Sequence, residues 1–208
     1  MATRPNRIPL FPLNVVLLPG MALPLHIFEP RYKLMIGRCL SENLEFGMLF
    51  ESEKAMASIG CTADVIQKLK EYSDGRMDIL TEGRAVFHLK ELLDEKEYYE
   101  GQVEYVPDEK HSQDARTEAR LTGIFRQVHA LLFGQEWAAS DKDASIPLAY
   151  RMASRLPLEL EEKQNLLEMR GENQRQEFLL QWLTEFLPRI QHRQRVRQRA
   201  GGNGQGFN

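Results

Sequence analysis

Cysteine is scarce in this chain, with only Cys39 and Cys61 in 208 residues. The two are too widely spaced, and have too few companions, for a zinc framework. Both fall in an expected helix or strand and read as buried thiols, as a reducing compartment allows. No stretch of about 20 unbroken apolar residues occurs, which excludes a membrane-spanning helix. Arg4 and Arg7 precede an apolar run, but Pro9, Pro12, Asn14 and Pro19 interrupt it, so a cleavable secretion signal is disfavoured and the cytosol is the expected setting. Signatures of catalysis are missing as well. There is no Gly-Lys pair and hence no glycine-rich phosphate loop with its lysine. No G-x-S-x-G elbow appears. The five histidines (26, 88, 111, 129 and 192) include no H-x-x-x-H pair and no partner cysteine at ligand spacing. The expectation is a protein with no catalytic residues, cofactor or metal.

What is present first is proline. Ile8–Tyr32 is apolar and holds prolines at 9, 12, 19, 24 and 30. Proline lacks an N–H and fixes φ, so neither an uninterrupted helix nor a central strand is expected there. Short strand pieces, a Leu18-Pro19-Gly20 turn and a helix opening at Pro30 are expected instead, with proline in a first turn where its missing N–H costs nothing. Asp74-Gly75 reads as a hairpin turn, and Gly83 inside the next strand as a bulge or bend. From Tyr99 to Tyr105 a two-residue alternation sets Tyr99, Gly101, Val103 and Tyr105 against Glu100, Gln102 and Glu104. Beyond about Asp114 the period becomes helical. Leu121, Ile124, Phe125, Val128, Leu131 and Leu132 share a face that ends at Gly134. Three more helices are expected over about 146–155, 159–169 and from 173 onward, the last kinked at Pro188. The fold class is α+β, with a β-rich barrel-like subdomain over 1–110, a helical bundle over 111–200 and a disordered tail over 201–208.

Charge is uneven. No acidic residue follows Arg189, whereas five arginines do or coincide with it (189, 193, 195, 197 and 199), leaving 22 basic and 30 acidic side chains in residues 1–188. Arginines suit a helix carboxyl end through its dipole. They also offer contacts to phosphate or to an acidic partner.

Several segments together resemble the amino-terminal substrate-binding domain of Lon proteases. They are the proline-rich opening, Arg31-Tyr32-Lys33-Leu34-Met35, Phe46-Gly47-Met48-Leu49-Phe50 and Ile59-Gly60-Cys61-Thr62-Ala63. Asp74-Gly75-Arg76 with Glu82-Gly83-Arg84 and Phe87 also matches, as does Leu156-Pro157-Leu158 followed by Lys163-Gln164-Asn165-Leu166-Leu167-Glu168. The resemblance covers about 7–187 and implies a PUA-like β pseudo-barrel with one helix, followed by the helical bundle. It implies the recognition part of such a protease without its ATPase and peptidase modules.

The function expected from it is non-catalytic binding of unfolded or extended polypeptide, as an adaptor or holder serving a protease or chaperone system. A shallow apolar groove near the opening segment would involve Leu23, Leu25, His26, Phe28 and Tyr32. The alternative is RNA binding, since PUA-like barrels are used in RNA recognition and Arg193, Arg195, Arg197 and Arg199 could contact phosphates. Against it stand the acidic body and the lack of an aromatic–basic ribonucleoprotein motif. His26 and Glu29 form an H-x-x-E pair, read here as local packing at His26 and helix initiation at Glu29.

Overall fold

The computed structural model describes residues 4–109, 114–137 and 145–202, with side chains up to residue 196. It contains strands β1 (Arg7–Leu13), β2 (Ala22–Ile27), β3 (Phe46–Phe50), β4 (Ile59–Glu71), β5 (Met77–Leu93) and β6 (Glu100–Tyr105). The helices are α1 (Pro30–Glu42), α2 (Ala115–Phe133), α3 (Leu148–Ala153), α4 (Leu160–Glu168) and α5 (Glu172–Gly202). Two compact units result, one of residues 1–109 with 157–170 and one of 110–156 with 171–208.

In the first unit the strand order is β2-β5-β4-β3-β1-β6, and an additional β5–β6 pairing closes five of the strands into a barrel. β2 lies outside that ring, paired with the first part of β5 from Met77 to Glu82. The barrel interior is filled by Ile8, Leu10, Leu49, Phe87 and Val103. The α+β, PUA-like barrel with one early helix and following helices is therefore the observed architecture.

β1 departs from the expectation that its prolines would keep it out of a central position. It sits between β3 and β6, yet its ladder changes sides part-way along. Arg7, Ile8 and Pro9 pair with β6, and Leu10 to Leu13 pair with β3. The Val103 N–H donates to the Asn6 carbonyl and the Leu10 N–H to that of Tyr99, so even-numbered residues face β6. The Glu51 N–H donates to the Leu13 carbonyl, so odd-numbered ones face β3. Pro9 thus turns its missing donor toward β3 before that ladder begins, and Pro12 turns its own toward β6 after that ladder ends.

The irregularity expected at Gly83 is a bulge. Cys61 pairs with Val86 and Ala63 with Gly83, leaving Arg84 and Ala85 opposite Thr62 alone. The Ala85 N–H freed by the bulge donates to the Thr62 hydroxyl at 3.0 Å, and that hydroxyl donates to Glu45 at 2.6 Å. Gly83 also exchanges hydrogen bonds with the Leu18–Met21 turn, donating to the Met21 carbonyl and accepting from the Gly20 N–H. A β-carbon at Gly83 would lie 2.2 Å from the Leu18 carbonyl oxygen, which explains why glycine is needed there.

Glu100, assigned to the polar face by alternation, is 3% exposed. It accepts hydrogen bonds from Arg7 at the start of β1, Arg38 of α1 and Lys96 just before β6, at 2.7–2.8 Å. Burial on its own would raise this carboxyl. The three cations overcome that effect and hold it at about 2.

In the second unit, α2 follows the expected face, with Leu121, Phe125, Val128 and His129 buried and Gly134 in the left-handed conformation as its cap. Arg175 of α5 is 0% exposed. It bonds Glu172 at 3.1 Å and lies over the Tyr150 ring at 4.4 Å. Glu172 also accepts from the Ala149 N–H, so the first turn of α5 caps α3. α5 contains Pro188 without ending there and runs to Gly202, two residues into the stretch expected to be disordered. Glycines at a fraying helix end cost little. Residues 203–208 lie outside those described. The helix expected over 159–169 belongs to the first unit, where the Gln164 side chain donates to the Ile59 carbonyl of β4 at 3.1 Å.

Two measurements check this account. Gly83→Ala should lower unfolding free energy by about 1–3 kcal/mol in urea titration, because the obstructing atom is backbone and cannot rotate away. For Glu100 the folded value lies below the ordinary 4.5. Its contribution, roughly 3 kcal/mol, is therefore complete above that ordinary value and is lost as pH falls toward about 2. Glu100→Gln should flatten the pH dependence of stability across this window while lowering stability at neutral pH.

Candidate recognition surface

β2 enters the first unit as an edge strand with a regular alternation. Ala22, Pro24 and His26 are exposed, Leu23 and Leu25 half-buried, and Ile27 buried. Phe28 continues the exposed row with 58% of its surface accessible, just before Pro30 opens α1. Cross-strand pairing places Asp78 opposite His26. His26 Nδ1 meets Asp78 Oδ1 at 2.5 Å, and the Tyr72 hydroxyl donates to Asp78 Oδ2 at 2.9 Å. These bonds, His26 first, hold the Asp78 carboxyl below its ordinary value. The imidazole is further fixed between two rings, stacked on Phe28 at 5.9 Å and edge-on to Tyr72 at 6.0 Å. Lys70 and Arg76 lie over the Tyr72 ring at 4.3 and 5.0 Å. His26 and Phe28 thus form an exposed aromatic pair, flanked by half-buried Tyr72 and its cations on the hairpin whose turn is the expected Asp74-Gly75, with Gly75 at φ 80°.

The five residues expected to form a groove separate into three places. His26 and Phe28 stand together on the exposed face. Leu23 and Leu25 alternate with that face and are half-buried. Tyr32 is in the core, 6% exposed, against Phe11 at 4.0 Å. It is the helical period of α1 that carries Tyr32 inward with Met35, Ile36 and Cys39. Glu29 bonds Arg31 and not His26, so the H-x-x-E pair is no unit. Asp78 and Tyr72 escaped the sequence reading because the β2–β5 register brings Asp78 to His26 and the β4–β5 hairpin brings Tyr72 beside it.

Arg193 and Arg195 are exposed on α5 with no ion-pair partner among the described residues. Two residues apart on a helix, they lie about 160° from one another around the axis and form no common stripe. The side chains of Arg197 and Arg199 lie outside those described.

Nothing among the described contacts gives His26 a hydroxyl or thiol nucleophile to activate. Both cysteines are buried and unpaired, and burial pushes the Cys39 thiol up to about 12 and Cys61 up as well. Among the described residues no cluster of metal-ligating side chains occurs, and no helix is long and apolar enough to cross a membrane.

The barrel with its early helix and outer strand defines a PUA-like domain. Comparison with known proteins places it further. A family model for the ATP-dependent protease La (LON) substrate-binding domain matches residues 7–185, and the chain belongs to that family. Lon protease 2 of Syntrophobacter fumaroxidans is 26% identical over 94% of this chain, and the Lon protease of Escherichia coli K12 is 25% identical over 93%. The chain spans about 26% of the length of either relative. Among solved structures, a Lon N-terminal domain protein from Xanthomonas campestris aligns with a TM-score of 0.67 at 25% identity, covering 85% of this chain and 98% of that one. The N-terminal domain of Mycobacterium avium complex Lon protease aligns at 0.63 over 86% of this chain and 98% of its own, a likeness of fold at 18% identity.

The division between core and surface is measurable. Tyr32→Ala should cost about 3–5 kcal/mol of stability. Phe28→Ala should change stability by no more than about 0.5 kcal/mol in the same denaturation assay.

Proposed function

We propose that this chain is a non-catalytic recognition module that binds extended, partly unfolded polypeptide and holds it or passes it to a protease or chaperone system. The observation that carries this reading is the family match across residues 7–185, joined to an exposed aromatic pair on the barrel's outer strand. Phe28 and His26 supply the contact surface. Leu23 and Leu25 anchor the strand from its opposite, half-buried face, and Tyr32 supports α1 from the core. Two buried reduced thiols agree with a cytosolic setting. The second reading, RNA binding, draws on the use of PUA-like barrels in RNA recognition and on the arginines of α5, of which Arg193 and Arg195 lie on different sides of the helix.

Fluorescence anisotropy of a labelled, permanently unfolded polypeptide near physiological salt tests this, with single-stranded RNA as competitor. Saturable binding should withstand RNA, survive the Arg193→Ser, Arg195→Ser double variant, and weaken roughly tenfold in Phe28→Ala. Full displacement by RNA, or no saturable binding, would overturn the proposal.

A further inference from the structure

We infer that the client is held by strand addition to the free edge of β2, with Pro24 disfavouring a second copy of this chain in its place. The inference rests on the polypeptide-binding reading and specifies how the client is gripped. Among the described residues β2 pairs with β5 on one side only. Pro24 faces Leu80 and cannot donate, so that pair is one whose backbone groups turn away from the partner strand. Two bonds confirm the phase. The Gly83 N–H donates to the Met21 carbonyl at 3.0 Å, and the Thr81 hydroxyl donates to that of Leu23 at 2.8 Å, so odd-numbered carbonyls face β5. The outer edge therefore presents N–H and C=O groups at Ala22 and His26 and a carbonyl alone at Pro24. No backbone hydrogen bond from elsewhere among the described residues reaches them.

The hydrogen-bond complement of such an edge is another extended backbone. Its side chains would lie beside Pro24, His26 and Phe28, the exposed row of the same sheet face. That neighbourhood favours aliphatic or aromatic residues at alternate positions of the client. Proline decides between the two candidate strands. Antiparallel pairing of this edge with its own copy sets Ala22 against His26 and Pro24 against Pro24, so both bonds of the central pair are lost. A client strand loses one. The edge is thereby guarded against self-association, as sheet edges are by proline, and stays open to other chains.

The test uses the full chain and a labelled peptide of alternating apolar residues, read by anisotropy. Two further versions of the peptide carry N-methyl groups on every second backbone nitrogen, in opposite phases. Binding should be lost in one phase and kept in the other, because only alternate N–H groups of an added strand face β2. Pro24→Val restores a donor and should tighten binding by roughly two- to tenfold. Equal binding of the two methylated peptides to the natural chain overturns strand addition even if Pro24→Val fails to fold. An unchanged or weaker affinity in a folded Pro24→Val does the same. Failure of the unmethylated peptide to bind the natural chain would instead remove the polypeptide-binding reading itself.

Discussion

A single carboxylate ties the barrel to its helix. Glu100 is buried at the start of β6, where an unpaired negative charge would be expensive. Arg7, Arg38 and Lys96 converge on it from β1, α1 and the segment before β6. The same residue pairs in register with Pro9 of β1 and Leu93 of β5, at the place where the ring closes. Satisfying the charge therefore requires the strands and the helix to take up their final positions together. The position of α1 then fixes the turn from which Phe28 and the β2 edge project.

Proline and glycine serve that closure in complementary ways. Pro9 and Pro12 sit where β1 has no neighbour on the side their N–H would serve, so the strand can occupy the middle of the order. Gly83 lets the Leu18 carbonyl approach β5 more closely than any side chain would permit. The bulge beside it leaves an N–H that Thr62 accepts, and so its polar cost is small. At the surface Pro24 has another effect, removing a donor where an unguarded edge would invite its own copy.

Much of this was legible in the residues. Pro30 at the first turn of α1, Asp74-Gly75 in the hairpin, the irregularity at Gly83 and the α2 face ending at Gly134 all depend on local chemistry and were anticipated. The elements that escaped depend on distant neighbours. Alternation put Glu100 on a polar face because its three cations lie elsewhere in the sequence. The partnership of His26 with Asp78 needs the register between residues 52 positions apart. Tyr32 reads as a surface aromatic until the phase of α1 is known. The central place of β1 came as a correction, since a ladder that changes sides cannot be seen in composition.

The return of residues 157–170 to the first unit has a consequence for synthesis. Gln164 of α4 supplies a bond to the Ile59 carbonyl, and Leu166 and Leu167 are buried. The barrel strands are all made by Tyr105, yet the unit they belong to extends to Arg170. On a ribosome, which adds about 5–20 residues per second, the nascent barrel must wait several seconds for its last helix. During that interval the barrel lacks the helix that completes its unit, and its unpaired surface is open to a chaperone.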